Sequence, residues 1–364
     1  MNESLRVLTA LAALLVSSAV MAQPWPSRPV QFIVPAAAGS GPDVTLRAYT
    51  DRLAKSIGQP VIVLNRPGAQ GAIGSQAAAK EPPDGYTFML ASLGQLVANK
   101  YTMKAPGYDP DKDFVPVALI GRAPYMVLVN PNLPVRSLAD LVKHDRENPG
   151  KMSLAYEGSA ILAGSAYLKH LMGLSLELVS YNSPLQAIQD TMGGIAQVHV
   201  QGTAIGLSYA TTQKLRAIAI TTDKRLPQLS DVPTVNESYP DFGSFEAWLM
   251  IVAPAKTPPD IVQRMSAEIA RAGNSQELRD LFSKLGFFDD EDRTPEAAAA
   301  FLKRQNEQFA IMAKAADLKP ECPVGNSIRA MRAMRATCDL RSGRLQTPAT
   351  GSLMSICTDS RSAK

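Results

Sequence analysis

The chain has 364 residues, 37 Lys/Arg against 33 Asp/Glu for a net charge of +4, three histidines and three cysteines. All three cysteines, Cys322, Cys338 and Cys357, lie beyond Pro320, which excludes a disulfide framework or thiol chemistry in everything before them. The segment 321–364 holds seven Lys/Arg and three Asp/Glu, so it carries the whole net charge; the balanced body gives no argument for a nucleic-acid partner.

The N-terminus reads as a targeting segment. MNESLRVLTALAALLVSSAVMAQ has Arg6 in a short polar head and an apolar run from Val7 to Val20. Val20 and Ala22 stand at the positions a signal peptidase reads before cleavage after Ala22. The apolar run is too short to span a bilayer, for which about 20 apolar residues are expected. Residues 1–22 are therefore read as a cleavable signal peptide, and the mature protein as an exported, soluble periplasmic protein. The tail 321–364 lacks periodicity and is read as poorly ordered and dispensable for folding and binding.

In the body, apolar runs of strand length alternate with helical patterns, which predicts an α/β fold with largely parallel sheets. VQFIVP (Val30 to Pro35) leads through AAAGSG into a helix whose apolar face is Leu46, Tyr49, Leu53 and Ile57, ended by Gly58. PVIVLN is a second strand, followed by PGAQGAIG, with Gly68, Gly71 and Gly74 spaced by three, and a further helix. Taken alone, that loop admits two readings: a strand-to-helix turn that needs positive φ, or an anion site at a helix N-terminus. YTFMLA (Tyr86 to Ala91) is the third strand. The loops after all three would gather at the carboxyl ends of a parallel sheet, where ligands bind in open α/β folds.

After Gly121 the pattern restarts with the strand YMVLVN (Tyr125 to Asn130). Then come the helix SLADLVKHDREN, the strand KMSLA, a helix from Ile161 to Met172, LELVS, a helix from Pro184 to Met192, AQVHV and KLRAIAITT. AWLMIVAP (Ala247 to Pro254) returns to the first unit. Three helices follow, opened at Thr257-Pro258, near Ser275 and at Thr294-Pro295. The organisation expected is a first lobe of 23–123 and 225–320, with a second lobe of 124–224 inserted. Two connections would cross a cleft that closes by hinge motion.

WPSRPVQFIVPAAAGSGPD, GQPVIVLNRPGAQGAIGSQAAAKEPPDGYTFMLAS, KLRAIAITTDKRLPQLSDVPTVNESYPDF and APAKTPPDIVQRMSAEI resemble, in order and spacing, the periplasmic substrate-binding receptors of tripartite tricarboxylate transporters, the Bug-type receptors. The resemblance runs from about Trp25 to Lys319. It implies the type II periplasmic-binding-protein fold, a small carboxylate held between two lobes, and for some members a transporter membrane subunit as partner; no cofactor is expected, and the protein is read as a monomer. Carried over residue by residue, it implies a ligand-binding loop of Pro35, Ala38, Gly39, Ser40 and Asp43. It also implies a carboxylate-gripping loop of Gly71, Ala72, Ile73 and Gly74, and Ser92 at the end of the third strand. Beside these neighbours the glycine loop reads as a carboxylate site, while Asp43 also fits the plain role of an acid in a first helical turn.

The second lobe departs from the family pattern. AYEGSAI keeps Gly158 and Ser159 of a Ser-x-Gly-x-Gly-Ser/Thr loop but has Ile161 where the family has His. Ser180, Tyr181, Asn182 and Ser183 stand for Pro-Tyr-Lys-Gly, and Gln197 and Gln201 stand where two aspartates are expected. Tyr181 and Gln201 are still expected to face the cleft, and Asp-to-Gln exchange disfavours an amino-bearing ligand.

Enzyme chemistry is absent from the motifs: no nucleophile elbow, no Walker loop, no metal spacing. Ser159 and Ser165 have no recognisable base, His144 and His170 sit on helices as ordinary solvated or packed residues, and Glu157 is read as exposed. His199 lies close enough to the cleft to be a candidate contact. Trp25 and Trp248 are read as closing the first lobe's core. The sequence thus predicts a solute receptor for a small carboxylate. Alternatives are a ligand-sensing partner of a membrane signalling protein and a receptor whose altered second lobe has changed or lost its ligand; a periplasmic hydrolase has no visible triad.

Overall fold

The computed structural model describes residues 25–288 and 292–320, so the signal segment and the tail lie outside the described residues. Strands β1 (Val30–Val34), β2 (Val61–Asn65) and β3 (Thr87–Ser92) pair in parallel in the order β2-β1-β3. Helix α1 (Gly41–Ile57) connects β1 to β2 and α2 (Ala72–Ala79) connects β2 to β3; a π-helical turn, Gly94–Ala98, and a short helix α3 (Asn99–Thr102) follow β3. The α1 face Leu46, Tyr49, Leu53 and Ile57 is buried as its spacing predicts, and Gly58 ends it in the left-handed region (φ 71°), donating to Ala54 O.

The expected restart at Tyr125 is corrected by the structure. A single 16-residue strand, β4 (Phe114–Val129), runs from one lobe into the other. Its first part pairs antiparallel with β9 (Glu246–Pro254), and its second with β7 (Val198–Gly202) and β8 (Arg216–Ile220). Pro116 and Gly121 look like breaks in sequence, but register shifts at Pro116/Ala118 and Leu119/Gly121 absorb them as bulges while β9 keeps the strand paired.

In the second lobe, β5 (Ser153–Tyr156) lies between β6 (Glu177–Ser180) and β7, all parallel. Helices α4 (Leu138–Glu147) and α6 (Pro184–Met192) form where periodicity puts them, α5 (Gly158–Met172) starts three residues before the expected Ile161 and takes in Gly158 and Ser159, and α7 (Thr203–Thr211), between β7 and β8, is an addition to the sequence reading. TAIGLSYAT has no polar stripe. Its buried residues Thr203, Gly206, Leu207 and Ala210 share one face, and Gly206 permits a close approach, since a Cβ there would come within 2.8 Å of Met126 Cε.

Helices α8 (Pro259–Gly273), α9 (Gln276–Lys284) and α10 (Pro295–Ala315) complete the described fold. α9 and α10 start where expected, and Ser275 and Thr294 cap them through their side chains, whereas α8 begins one residue late and Thr257 donates to Pro254 O instead of capping. One core packs α1, α8 and α9 on one face of the first-lobe sheet; the other continues from that sheet into the second lobe through Tyr125, Phe245 and Trp248. Trp248 is wholly buried and its Nε1 donates to Gln305 Oε1, while Trp25 packs at the edge of the first core. Among the described residues, no helix is long and apolar enough to cross a membrane.

Candidate ligand-binding cleft

The first lobe builds its wall from the loops leaving β1 and β3. Asp43, in the first turn of α1, is buried. Its Oδ2 accepts from Gly39 N at 2.8 Å, its Oδ1 from Asn65 Nδ2 at 2.9 Å, and both oxygens from Arg47 Nε at 3.0 Å. Burial by itself raises its pKa, but the bonds to Arg47, Gly39 and Asn65 outweigh that and hold the carboxyl below the usual range. The loop 35–40 is thereby fixed, and Ser40 Oγ is left buried with no hydrogen-bond partner among the described residues.

The glycine loop stands behind this wall. Gly74 carries no Cβ because one would sit 2.8 Å from Arg66 O and 2.9 Å from Pro35 Cα, so glycine lets α2 pack against the loops leaving β1 and β2. At Gly71 (φ 86°) a Cβ would overlap the Gln95 amide. Gln95 Nε2 donates to Gln70 O at 3.2 Å, and Gln95 Oε1 accepts from Ser92 N at 3.0 Å and Ser92 Oγ at 2.7 Å. The loop therefore positions Ser92 through Gln95.

The second lobe's wall rests on a largely enclosed acid. Parallel pairing sets Ala155 of β5 against His199 of β7, and the chain leaves β5 at Glu157 to start α5. Glu157 Oε1 lies 2.9 Å from His199 Nε2 and within 3.5 Å of Gln201 Nε2, while Gln201 Oε1 accepts from Gly202 N at 2.7 Å. His199 is wholly buried; its Nδ1 and Glu157 Oε2 have no hydrogen-bond partner among the described residues. Burial, then the charge of Glu157, pushes the Tyr125 hydroxyl well above its ordinary pKa. The expectation that Glu157 is exposed is thus overturned: its side chain is 11% exposed, because the end of β5 turns it toward β7.

Between the walls lies a cleft of about 260 Å³. Ser40, Gly41, Pro42, Ser92 and Leu93 face Ile161, Pro184, Gln201, Thr203 and Ile205 across it, over a floor that includes Tyr125, Ala247 and Trp248. Among the described residues, no charged side chain lines it. The first turns of α1 and α7 meet here, since a Cβ at Gly41 would stand 3.9 Å from Ala204 Cβ. Two side-chain bonds also cross between the lobes: Ser159 Oγ donates to Asn99 Oδ1 at 2.6 Å, and Thr203 Oγ1 to Gly286 O at 3.1 Å. A helix N-terminus favours an anion through its free N–H groups and dipole, so two converging at an apolar cleft can hold a carboxylate without arginine or lysine.

Of the residues expected to touch ligand, Ser40, Ser92 and Gln201 line the cleft. Ala38 and Gly39 are exposed on the loop ahead of it, Asp43 is engaged with Gly39, Arg47 and Asn65, and Gly71, Ala72 and Gly74 are buried behind Ser92. Ile73 points to solvent. Gly158 begins α5, and Ser159 is bonded to Asn99. Tyr181 packs on Ala155, Ala187 and Ala196; burial and a hydrogen bond to Asp190 push its hydroxyl up to about 12. Sequence reasoning missed Pro184 and Thr203, whose signal was their place at helix starts, and Gln95 and Asn99, which had none. Ser165 is buried without a base, and no cluster of metal-ligating side chains occurs among the described residues.

Residues 45–311 match the model of the tripartite tricarboxylate transporter family receptors. This chain belongs to that family. It is 33% identical to an uncharacterised protein family member encoded between tcbD and tcbE in Pseudomonas sp. (strain P51), over 84% of this chain and 92% of that one. It is 32% identical to protein BugT of Bordetella pertussis, over 74% and 84%. Among solved structures it resembles the periplasmic binding protein BugD, with a TM-score of 0.73 and 30% identity over 82% of this chain and all of that one. It also resembles R. palustris Rpa4515 with adipate, with a TM-score of 0.76 and 28% identity over 82% and 100%. MatC from Rhodopseudomonas palustris with bound malate gives 0.73 and 27% over 79% and 100%. The fold is that of the type II periplasmic binding proteins, and the receptor family is one of binding proteins, not enzymes.

Proposed function

We propose that this protein is a periplasmic solute receptor that closes its two lobes on a small carboxylate and presents it to the membrane subunits of a tripartite tricarboxylate-type transporter. The observation that carries this reading is the convergence of the α1 and α7 N-termini on a small cleft, with Ser40 Oγ left without a protein partner. Ser40, Ser92 and Gln201 are the contacts, and Gly71 acts at one remove by placing Gln95 against Ser92. The relatives bound to adipate and malate support a carboxylate as the ligand class. Export follows from the segment before Ala22, and N-terminal sequencing of the periplasmic protein checks the cleavage.

The test is a thermal-shift titration against mono-, di- and tricarboxylates, their amides, and amino acids. A ligand at a hundred times its Kd stabilises by about 2.7 kcal/mol, a readily measured shift. A shift with a carboxylate and none with its amide is the expected result. Absence of any shift across the panel rejects the carboxylate receptor.

A further inference from the structure

Resting on the receptor reading, the charge layout of the cleft narrows the ligand further. Four helices start around it, and they are unequal as anion sites. The first turns of α1 and α7 lie together, with Gly41 and Ala204 almost in contact, and they form one place for one carboxylate beside Ser40. Helix α6 stands apart and presents the ring of Pro184 to the cleft, a residue with no N–H to offer; α1 has the same gap at Pro42, but there the first turn of α7 lies alongside. Helix α5 has Glu157 at its N-cap, and a carboxylate there offsets the positive end of the helix.

The rest of the second-lobe wall adds no donor for a second anion. Ile161 and Ile205 are apolar, and Thr203 Oγ1 donates to Gly286 O. Gln201 Nε2 is turned toward Glu157, and Gln201 Oε1 is an acceptor already bonded to Gly202 N. Glu157 lies just behind this wall, near enough for its charge to raise the Tyr125 hydroxyl. A ligand carboxylate placed on the same side would lose its water, gain no cation and meet a like charge.

We propose that the cleft selects a monocarboxylate with an apolar body, its carboxylate between the first turns of α1 and α7 and its body against Ile161, Ile205 and Trp248. Glu157 is the residue that rejects a second carboxylate. Hexanoate and adipate share six carbons and differ by one carboxylate, so they isolate the effect; 3-phenylpropanoate and malate extend the pair in each direction.

Calorimetric titration of the purified full-length protein with these four acids tests the proposal. Hexanoate is expected to bind at least about tenfold tighter than adipate. Glu157→Gln is expected to narrow that ratio by tightening adipate while leaving hexanoate within about threefold. Pro184→Ala, which restores an N–H at the start of α6 without touching the Glu157 pair, is expected to move the ratio the same way, and it serves if Glu157→Gln does not fold. Adipate or malate binding as tightly as hexanoate and 3-phenylpropanoate overturns the selectivity while the carboxylate receptor stands. An unchanged ratio in both variants overturns the role given to the second-lobe wall. Failure of all four acids to bind overturns this inference, and the receptor reading is then decided by the wider carboxylate panel.

Discussion

The two walls of the cleft are rigid for different reasons. In the first lobe a buried carboxylate, Asp43, has both oxygens matched by a guanidinium, an amide and a backbone N–H. In the second, the largely enclosed carboxylate of Glu157 has His199 and a distant Gln201 on one oxygen and no partner among the described residues on the other. A saturated acid fixes a loop and withdraws from the ligand; an undersaturated one projects its charge across a thin apolar wall. The same residue type thus builds one side of the site and biases the other.

The largest effect that breaks this comparison should come from the backbone contacts that set each wall. Gly74→Val drives a side chain into Arg66 O and Pro35 Cα, neither of which can rotate away, and should destabilise by about 3 kcal/mol in urea unfolding. Gly164→Ala in the second lobe overlaps the Phe245 ring, which stacks on Tyr125 at 4.7 Å between centroids, and should also shift the floor of the cleft. The lobes differ next in their acids. His199→Leu strips the one close partner from the largely enclosed Glu157 and should cost on the order of 3 kcal/mol, with Glu157→Gln/His199→Leu recovering much of it in a double-mutant cycle.

Asp43→Asn removes an acceptor from Gly39, Arg47 and Asn65 and should cost about 2 kcal/mol at neutral pH. Its sign with pH is fixed by the lowered pKa. The contribution of Asp43 is fully present above its unfolded pKa of about 3.9 and is lost as pH falls through the lower folded value, so wild type and variant should converge in stability only in strong acid. The smallest effect belongs to closure. Ser159→Ala removes the 2.6 Å bond to Asn99 across the lobes and should weaken ligand affinity by about 1 kcal/mol, with a larger radius of gyration by X-ray scattering in the absence of ligand.

Local signals carried much of the fold. The α1 face, the helix starts at Ser275 and Thr294 and the three parallel strands of the first lobe could be read because their causes lie within a few residues of each other. β4 was read as a new strand at Tyr125 because Gly121 acts as a break only when no partner strand absorbs a bulge, and β9 comes more than a hundred residues later. α7 was missed because its nine residues are mostly small and uncharged, so the sequence marks no stripe; Thr203, Gly206, Leu207 and Ala210 are buried while Ser208 and Thr211 face solvent, a division set by packing.

The site divides in the same way. Ser40 and Ser92 could be placed from strand-end loops, since a parallel sheet gathers such loops whatever the side chains are. Glu157 and His199 stand 42 residues apart and carry no joint motif; the parallel register of β5 with β7 brings them within 2.9 Å. By itself the sequence determined the alternation of elements, the family and the strand-end loops that bring Ser40 and Ser92 to the cleft, because periodicity and turns are short-range. Tertiary structure alone decided which charges meet behind the walls, because strand register and lobe closure are long-range choices that no local stretch encodes.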